Sequence, residues 1–364
     1  GENIMHALKR FGTAFGGYKM MENYPVPECG PDDIILEIKA AAICGADMKH
    51  WGVDNGYDDT NITPDQQQSV RGHEFAGEIV KVGENVKDWH IGQRVVSDNS
   101  AHVCGVCPAC EQGDFLCCEH KVNLGLDNNT WGGGFSKYCK VPGEILAIHK
   151  HAIWEIPEGI KYEEACVLDP ICNAYKAVAQ QSHLIPGQDV VVFGTGPLGL
   201  FSVQVAKLMG AVNIVMVGLD DDVKVRFGVA KELGATHCVN GSKEDVVARC
   251  TEICGRDNLG LVIECSGANI ALKQAIEMTR PNAEIVRVGM GFKPLEFSIN
   301  DITAWNKSII GHMAYDSTSW RNCIRLLQSG QIKVQPMITH RLGLSQWQEG
   351  FDKMAKKEAI KVIF

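Results

Sequence analysis

The chain has 364 residues, of which 45% are hydrophobic and 22% charged, and these values are typical of globular proteins. At about 150 residues per domain, this length predicts two domains, or three. The formal net charge of −9 argues against a general affinity for nucleic acid or anionic membranes, because both require basic patches. The longest apolar stretch, residues 190–206, is interrupted by Gly194 and Pro197 and is too short to span a bilayer. Because no basic-then-apolar leader opens the sequence, we expect a soluble, cytoplasmic protein.

The first third of the chain predicts short strands separated by turns. Residues 33–42, 77–83 and 92–97 mix apolar and polar side chains over strand-like lengths, with Gly, Pro or Asp between them. Residues 128–134 (NNTWGGG) are typical of a turn-rich loop. Long helical patterns are few here, so we expect a compact β-rich unit.

Near residue 160 the pattern changes to a regular alternation. After a helical pattern at 163–181, apolar runs at 190–193, 213–217, 261–264 and 284–288 alternate with helical patterns at 198–209, 223–233 and 271–279. Short, fully apolar strands that alternate with helices predict a parallel sheet buried on both faces. Beyond Ser308 we expect helices at 317–329 and 346–356 and a terminal strand at 360–364.

The first apolar run of this alternation leads into a glycine-rich turn. Residues 190–193 (VVVF) are followed directly by Gly194, Thr195, Gly196, Pro197, Leu198 and Gly199. In a strand–turn–helix context, Gly194 allows the tight turn, Gly196 lets backbone amides approach a pyrophosphate, and Gly199 lets the helix pack on the strand. The helix N-terminus then faces the phosphate charge. We therefore expect a dinucleotide here, the alternative being the same strand, turn and helix without a ligand.

The sequence after the next apolar run bears on the choice of nicotinamide cofactor. An acidic side chain normally holds the ribose hydroxyls at that point, but this chain has Gly218, followed by Leu219 and the run from Asp220 to Asp222. The acidic run favours NAD because it repels a 2′-phosphate, with Gly218 and Asp220 as candidate contacts. Gly218 leaves room for that phosphate, so NADP is not excluded. An ordinary acidic first turn of a helix is the alternative for the aspartates.

Five of the fifteen cysteines crowd into residues 104–118. An odd number of cysteines in a chain without a leader argues against a disulfide framework. Cys104, Cys107, Cys110 and Cys118 have the short spacings that let four thiolates converge on one tetrahedral ion. Cys117 is the alternative fourth ligand. Four sulfur ligands leave no open position, so we expect a structural zinc that stabilises this lobe.

A second candidate metal site is dispersed along the sequence. Cys44 lies in the segment ICGAD, and His73 and Glu74 lie in GHEFAGE. One Cys, one His and one carboxylate, completed by water, is a typical set for a catalytic zinc, and Asp47 is placed to orient His73. Taken alone, however, this spacing is more often structural.

Taken together, these features resemble the zinc-containing medium-chain alcohol and polyol dehydrogenases. The resemblance covers nearly the whole chain in order, through C-G-x-D at Cys44, GHEFAGEIV from Gly72, G-x-R-V at Gly92, the four-cysteine lobe, GGFSKY from Gly133 and VVVFGTGPLGL. Within that superfamily the chain is most similar to the sorbitol and threonine dehydrogenase branch. Two features indicate this branch: Glu74 directly after His73, and an acidic residue before proline in LDPICNA, residues 168–174.

The resemblance implies an α/β fold with two domains. We expect a GroES-like, β-rich catalytic domain with both zinc sites over residues 1–171 and a Rossmann doubly wound parallel sheet over 172–311. A C-terminal segment, 312–364, is expected to return to the catalytic domain. Relatives commonly form homodimers or homotetramers, and we expect one of these states.

The resemblance also implies residue roles at the catalytic zinc. Cys44 and His73 correspond to ligands, and Glu74 and Asp169 are candidates for the third protein ligand. One position departs from the family, which usually has Ser or Thr two residues after the ligand Cys, where this chain has Ala46. A proton relay through that hydroxyl is therefore excluded, and the alternatives are Lys49, His50, a zinc-bound water or a hydroxyl of the substrate.

The expected activity is the reversible oxidation of a secondary hydroxyl of a polyol, sugar or sugar acid to the ketone, with zinc and NAD or NADP. The alternatives are an oxidation of L-threonine by the same chemistry and a catalytically weak protein that binds zinc and nucleotide, which Ala46 favours. Zinc-independent enone or quinone reduction on the same scaffold is disfavoured by Cys44, His73 and Glu74.

Overall fold

The structure, a computed structural model, describes residues 3–10, 17–51, 69–127, 129–291 and 293–364. The chain divides into two compact units. Unit 1 comprises Gly1–Asp169, Asp316–Trp320 and Ile338–Phe364, and unit 2 comprises Pro170–Tyr315 and Arg321–Met337. Within the described ranges, no helix is long and apolar enough to cross a membrane.

Unit 1 begins as a series of short strands, as its sequence predicts. The strands are β1 (Ile4–Arg10), β2 (Tyr18–Pro25), β3 (Ile34–Ala42), β4 (Glu74–Val82), β5 (Arg94–Ser97), β6 (Ser100–His102), β7 (Val122–Asn123), β8 (Tyr138–Val141) and β9 (Ile153–Glu155). The helices are α1 (Gly45–Trp51), α2 (Pro108–Glu111), α3 (Gly143–Ile148) and α4 (Tyr162–Ala165), and α5 (Leu168–Tyr175) begins in unit 1 and continues in unit 2. The helix expected at 163–181 is thus divided into α4, α5 and a π-helical segment, Lys176–Gln181.

Unit 2 alternates strands and helices. Its strands are β10 (Val190–Phe193), β11 (Ile214–Gly218), β12 (His237–Asn240), β13 (Leu261–Glu264), β14 (Glu284–Arg287) and β15 (Ser308–Gly311). Its helices are α6 (Pro197–Leu208), α7 (Arg226–Leu233), α8 (Val246–Cys254), α9 (Asn269–Met278), α10 (Asn300–Ala304) and α11 (Ser317–Gln328), of which α11 begins in unit 1.

The six strands of unit 2 form one sheet in the order β12-β11-β10-β13-β14-β15, and every pair is parallel. This order is that of a doubly wound dinucleotide-binding sheet, with its switch point between β10 and β13. All residues of β10, β11 and β13 are buried, because helices cover both faces of such a sheet. The predicted parallel sheet is confirmed.

The C-terminal residues complete the main sheet of unit 1. They form β16 (Ile338–Arg341), α12 (Trp347–Ala355) and β17 (Lys361–Ile363). The sheet has the order β16-β17-β3-β4-β5-β9, with β8 also pairing with β3. In the register, β17 places Ile363 opposite Ala42, and β4 places Glu74 opposite the same residue. The end of the chain therefore lies beside the strand that leads to Cys44.

The C-terminal segment does not return to unit 1 as one piece. Residues 321–337 group with unit 2, whereas the expected boundary assigned all of 312–364 to the catalytic domain. Gln204 on α6 contacts this stretch through two hydrogen bonds: its amide nitrogen donates to the Lys333 carbonyl at 2.8 Å, and its oxygen accepts from the Lys333 amide at 2.8 Å. A buried polar side chain thus fixes this stretch to the parallel-sheet unit.

Candidate active site

Four cysteines converge in the lobe between β6 and β7. The sulfurs of Cys104, Cys107, Cys110 and Cys118 all lie within 4.8 Å of one another. Cys104 Sγ and Cys110 Sγ are 4.0 Å apart, close to the roughly 3.8 Å that separates two sulfurs bound to one tetrahedral zinc. Cys117 is exposed and is not in this group. The four side chains fit a closed tetrahedral zinc site.

Backbone amides of the lobe are directed at its sulfurs. The amide of Cys107 donates to Cys104 Sγ at 3.3 Å, and the amides of Cys104 and His120 each donate to Cys118 Sγ at 3.4 Å. Amides of Val106 and Cys107 lower the pKa of Cys104 to about 6, whereas burial raises the pKa of Cys110 to about 12. The lobe therefore stabilises the thiolate form of Cys104 while no metal is bound.

The second group of candidate ligands is assembled from two segments of the main sheet of unit 1. Cys44 lies between the end of β3 and the start of α1, and His73 and Glu74 lie at the start of β4. The ligand atoms of these three residues all lie within 4.8 Å of one another. The antiparallel pairing of β3 with β4 brings the two segments together, because it sets Ala42 opposite Glu74. Residues distant in sequence thus form one cluster.

The chemistry of this cluster fits a zinc ion with an open position. One thiol, one imidazole and one carboxylate occupy three positions of a tetrahedral shell and leave the fourth for water or substrate. Glu74 is 1% exposed, and among the described residues its Oε2 has no hydrogen-bond partner. A buried carboxylate oxygen without a partner is costly, and a bound cation would satisfy it.

A buried lysine that the sequence analysis missed holds the other oxygen of Glu74. Lys361 on β17 is 1% exposed, and its Nζ donates to Glu74 Oε1 at 2.6 Å and to the Ile43 carbonyl at 3.1 Å. Burial lowers the pKa of Lys361, but the charge of Glu74 outweighs it and raises that pKa above its ordinary value. The ammonium group therefore connects the peptide before Cys44 to the carboxylate after His73.

Asp47, on α1, lies next to the same cluster. Its Oδ2 accepts from the amide of Cys44 at 2.9 Å, and its Oδ1 lies 3.7 Å from His73 Nδ1. The guanidinium of Arg71 approaches Oδ1 to 3.8 Å. Burial raises the pKa of Asp47, but His73 and Arg71 outweigh it and lower that pKa overall, so the carboxylate is charged. The carboxylate of Asp47 therefore lies near the imidazole of His73, at a distance longer than a hydrogen bond.

Two of the candidate ligands, Cys44 and His73, hold their protons firmly while no metal is bound. Burial, and then the charge of Glu74, raise the pKa of Cys44. Burial lowers the pKa of His73, but Cys44 and Asp47 raise it well above its ordinary value overall. A metal ligand must be deprotonated, so zinc binding here would release protons and would weaken as the pH falls.

Asp169, the other candidate for the third ligand, is not in the cluster. Its Oδ2 accepts from Asn99 Nδ2 at 3.0 Å, whereas the three ligand atoms that group together belong to Cys44, His73 and Glu74. Burial raises the pKa of Glu74, the charge of Lys361 opposes this, and the charge of Asp169 adds to the increase.

The glycine turn of unit 2 has the local geometry expected for a phosphate-binding loop. Gly194 has φ of 99°, and a Cβ there would lie 2.9 Å from the Ser266 amide nitrogen. A Cβ on Gly199 would lie 1.8 Å from the Gly194 carbonyl oxygen, whereas one on Gly196 would meet nothing within 4 Å. Gly194 and Gly199 are thus required by the turn and its packing, and Gly196, at the N-cap of α6, leaves open space.

The carboxylate nearest the end of β11 belongs to Asp222. A Cβ on Gly218 would lie 2.7 Å from Asp222 Oδ2 and from Thr195 Cγ2. Asp222 is buried, and its carboxylate accepts from Thr195 Oγ1 at 2.7 Å and from the Leu219 amide at 2.8 Å. Asp220 is more exposed and accepts from Asn240 Nδ2 at 2.8 Å. Asp222 therefore fills the space that a side chain at position 218 would take.

Comparisons with known proteins agree with both halves of this description. Residues 30–151 match the family model for the alcohol dehydrogenase GroES-like domain, and residues 197–329 match that for zinc-binding dehydrogenases. The chain is 78% identical to the uncharacterized zinc-type alcohol dehydrogenase-like protein YdjL of Escherichia coli strain K12, over 99% of this chain and 98% of that protein. The chain belongs to the zinc-type alcohol dehydrogenase family.

More distant relatives of this family have named substrates. The sorbitol dehydrogenase of Halalkalibacterium halodurans is 30% identical over 99% of this chain and 98% of that protein. The crystal structure of 2R,3R-butanediol dehydrogenase from Bacillus subtilis superposes with a TM-score of 0.83 at 30% identity, covering 99% of each chain. The expected fold, a GroES-like domain with a Rossmann-type parallel sheet, is confirmed.

Membership of the zinc-type alcohol dehydrogenase family implies an oxidoreductase that acts on CH–OH groups. Within it, the structure adds Lys361 and Asn99 to the residues around the site. A signal for Lys361 was present, since a lone lysine inside the apolar strand IKVIF is unusual. Asn99 gave no such signal. The half-buried Ala46 departs from the family pattern because it supplies no hydroxyl.

Proposed function

We propose that the protein is a zinc- and NAD(P)-dependent dehydrogenase that reversibly oxidises a secondary hydroxyl of a polyol, sugar or sugar acid to the ketone. The observation that carries the proposal is the buried cluster of Cys44, His73 and Glu74, with an unpartnered oxygen on Glu74. Three protein ligands leave one position for a substrate oxygen, unlike the four thiols of the lobe.

The residues around the cluster hold its members in place. Asp47 orients His73, and Lys361 holds one oxygen of Glu74 so that the other is directed to the metal. When bound, zinc supplies a Lewis acid that polarises the substrate hydroxyl and lowers its pKa. The oxidation transfers a hydride from the carbinol carbon and releases the hydroxyl proton. Ala46 has no hydroxyl group through which that proton could leave.

The glycine turn binds the dinucleotide through the backbone amides at the start of α6. Gly196 leaves space for a pyrophosphate, because a Cβ there would meet no atom of the described residues within 4 Å apart from its own helix and chain neighbours. When bound, the nicotinamide cofactor accepts the hydride. We propose NAD as the preferred form, because the carboxylate of Asp222 lies against Gly218 and would repel a 2′-phosphate.

The substrate class is proposed from the relatives and the family pattern. Sorbitol and 2R,3R-butanediol, after which two relatives are named, both carry a secondary hydroxyl next to another hydroxyl. A neighbouring hydroxyl of this kind would also supply a donor near the reacting oxygen, which Ala46 does not. We therefore favour vicinal diols over simple alcohols.

The first test is cofactor reduction by the purified, zinc-replete protein. NAD and NADP are each offered with polyols, aldoses, aldonates and L-threonine, with and without a chelator. We expect turnover on a polyol, sugar or sugar acid that the chelator removes and added zinc restores. Turnover on L-threonine alone would replace the proposed substrate class, and no turnover across the panel would contradict the proposed function. Light scattering on the same sample tests the expected homodimer or homotetramer.

A further inference from the structure

Asn99 is the residue with the most unusual backbone near the candidate active site. It has φ of 62°, in the left-handed region, although it is an asparagine rather than a glycine. It is 4% exposed and lies between β5 and β6, on the segment that leads into the four-cysteine lobe. A buried residue in this conformation persists only where its surroundings hold it there.

Every polar group of Asn99 has a partner. Its amide nitrogen Nδ2 donates to the His73 carbonyl at 3.2 Å and to Asp169 Oδ2 at 3.0 Å, and its Oδ1 accepts from Asn123 Nδ2 at 2.5 Å. Its backbone amide donates to Ser97 Oγ at 2.9 Å, and its carbonyl accepts from the Leu124 amide at 2.7 Å. The side chain therefore has one orientation, with both amide hydrogens in use.

The two acceptors of this amide belong to the two segments that carry candidate carboxylate ligands. The His73 carbonyl is part of the peptide that joins His73 to Glu74, so this hydrogen bond fixes the peptide between two ligands of the cluster. The other hydrogen bond restrains the carboxylate of Asp169, the second candidate for the third ligand. One side chain thus sets the position of one carboxylate relative to the other.

We propose that Asn99 is a positioning residue for the zinc held by Cys44, His73 and Glu74. It keeps Asp169 out of the cluster and next to it, so that Glu74 remains the third ligand and the fourth position stays open. The orientation of Asn99 is set in turn by Asn123, on the strand that leaves the cysteine lobe. This inference rests on the proposed function, because it concerns the same metal.

The test is the substitution Asn99→Gly, which keeps the left-handed backbone available and removes the amide. The matched control is Asn282→Gly, since Asn282 has φ of 63° and its Oδ1 accepts one hydrogen bond, from Asn306 Nδ2 at 2.7 Å. The full chain is loaded with zinc, and the affinity of each of its two zinc sites is measured by chelator competition. Loading with Co²⁺ then reports the ligand set through absorption, because one thiolate and four thiolates give different spectra.

In Asn99→Gly we expect the affinity of the Cys44 site for zinc to fall ten- to a hundredfold, the usual cost of losing a residue that orients ligands. The Co²⁺ spectrum of that site should change, while the lobe keeps its zinc and Asn282→Gly behaves as the unaltered protein. A variant that unfolds more easily but binds zinc at that site with unchanged affinity and spectrum would overturn the proposal, since Asn99 would then be merely structural.

A second substitution covers the case in which Asn99→Gly does not fold. Asn123→Ala removes the donor to Asn99 Oδ1 and leaves the amide itself in place. We expect a smaller loss of zinc affinity at the Cys44 site, in the same direction, and an unchanged affinity there would overturn the proposal. The readouts need no substrate. If the unaltered protein binds zinc at Cys44 but oxidises no alcohol, the proposed function fails and the comparison of variants still decides the role of Asn99.

Discussion

The two cysteine-containing clusters of unit 1 differ in almost every physical respect. In the lobe, the four candidate ligands are all thiols, lie within fifteen residues of one another and receive hydrogen bonds from backbone amides. At the Cys44 cluster, a thiol, an imidazole and a carboxylate come from segments about thirty residues apart and are oriented by side chains. The first arrangement would close the coordination shell of a bound zinc, and the second would leave one position open.

The two clusters also differ in how their candidate ligands are held in place. Short loops with amides directed at sulfur can hold a structural ion without help from the rest of the fold. An open site needs each ligand placed separately, and here Asp47, Lys361 and Asn99 each contact one ligand segment. Such supporting residues are themselves buried and charged or polar, so their removal affects both stability and metal binding.

The largest expected effect separates the clusters by function. Cys44→Ala should lower turnover at least about a thousandfold, because the Lewis acid, which contributes several kcal/mol to the barrier, loses a ligand. Cys110→Ala should instead lower the free energy of unfolding by several kcal/mol through loss of the lobe zinc, and the folded fraction should keep most of its turnover. Zinc content, steady-state rates and urea unfolding measure these outcomes.

Dinucleotide binding by Cys44→Ala is the control for that prediction. The glycine turn lies in unit 2, so the affinity for cofactor, measured by fluorescence, should be unchanged. Normal turnover by Cys44→Ala would show that the cluster is not the catalytic site, and loss of turnover in folded Cys110→Ala would show that the two clusters are not functionally distinct.

The next effect concerns the charge at the Cys44 cluster. Lys361→Met leaves the buried carboxylate of Glu74 without its cation, and we expect the zinc-free protein to lose about 3–5 kcal/mol of unfolding free energy. The matched control is Lys353→Met, which breaks an ion pair to Glu358 of nearly the same length, 2.7 Å, on the surface. Exposed pairs contribute little to stability because water screens them, so that variant should remain close to the unaltered protein. Equal losses in urea unfolding would contradict the burial argument.

These supporting residues mark the limit of what the sequence predicts. Local patterns were sufficient for the parallel sheet, since β10 and β13 lie at the predicted residues, and for the four-cysteine group. They were also sufficient for the roles of Gly194 and Gly199, because a turn and its packing depend on near neighbours. Local periodicity carries such information directly.

Contacts between distant segments could not be predicted in the same way. Lys361 contacts Glu74 only because β17 pairs with β3 in the sheet. Local sequence patterns do not predict the order of strands in a sheet. No local sequence pattern predicts the positive φ of Asn99. The sequence shows that position 218 is a glycine. Only the structure shows that the carboxylate of Asp222 occupies the space that a side chain at this position would take.

The smallest effect we predict concerns the thiols of the zinc-free protein. Hydrogen bonds from the amides of Val106 and Cys107 lower the pKa of Cys104 to about 6, so its thiolate fraction rises as the pH increases through that value. Burial raises the pKa of Cys110 to about 12 and also raises that of Cys44, so both stay protonated at neutral pH. Because the thiolate is the nucleophile, iodoacetamide should label Cys104 with a midpoint near pH 6 and leave the other two unlabelled.

Mass spectrometry of the labelled peptides after brief treatment at a series of pH values measures this difference. Added zinc should protect Cys104 and leave Cys44 unlabelled as before, and Cys104→Ser should abolish the labelling near pH 6. If Cys104 is labelled only well above pH 8, the amides do not stabilise its thiolate. If Cys44 is labelled at as low a pH as Cys104, the thiol of Cys44 is not held in its protonated form. The two clusters would then differ in the type of their ligands but not in the protonation of these two thiols. The expected order would instead mean that the lobe has one thiol, Cys104, that is already deprotonated when zinc binds, whereas Cys110 in the lobe and Cys44 in the other cluster must each lose a proton to bind it.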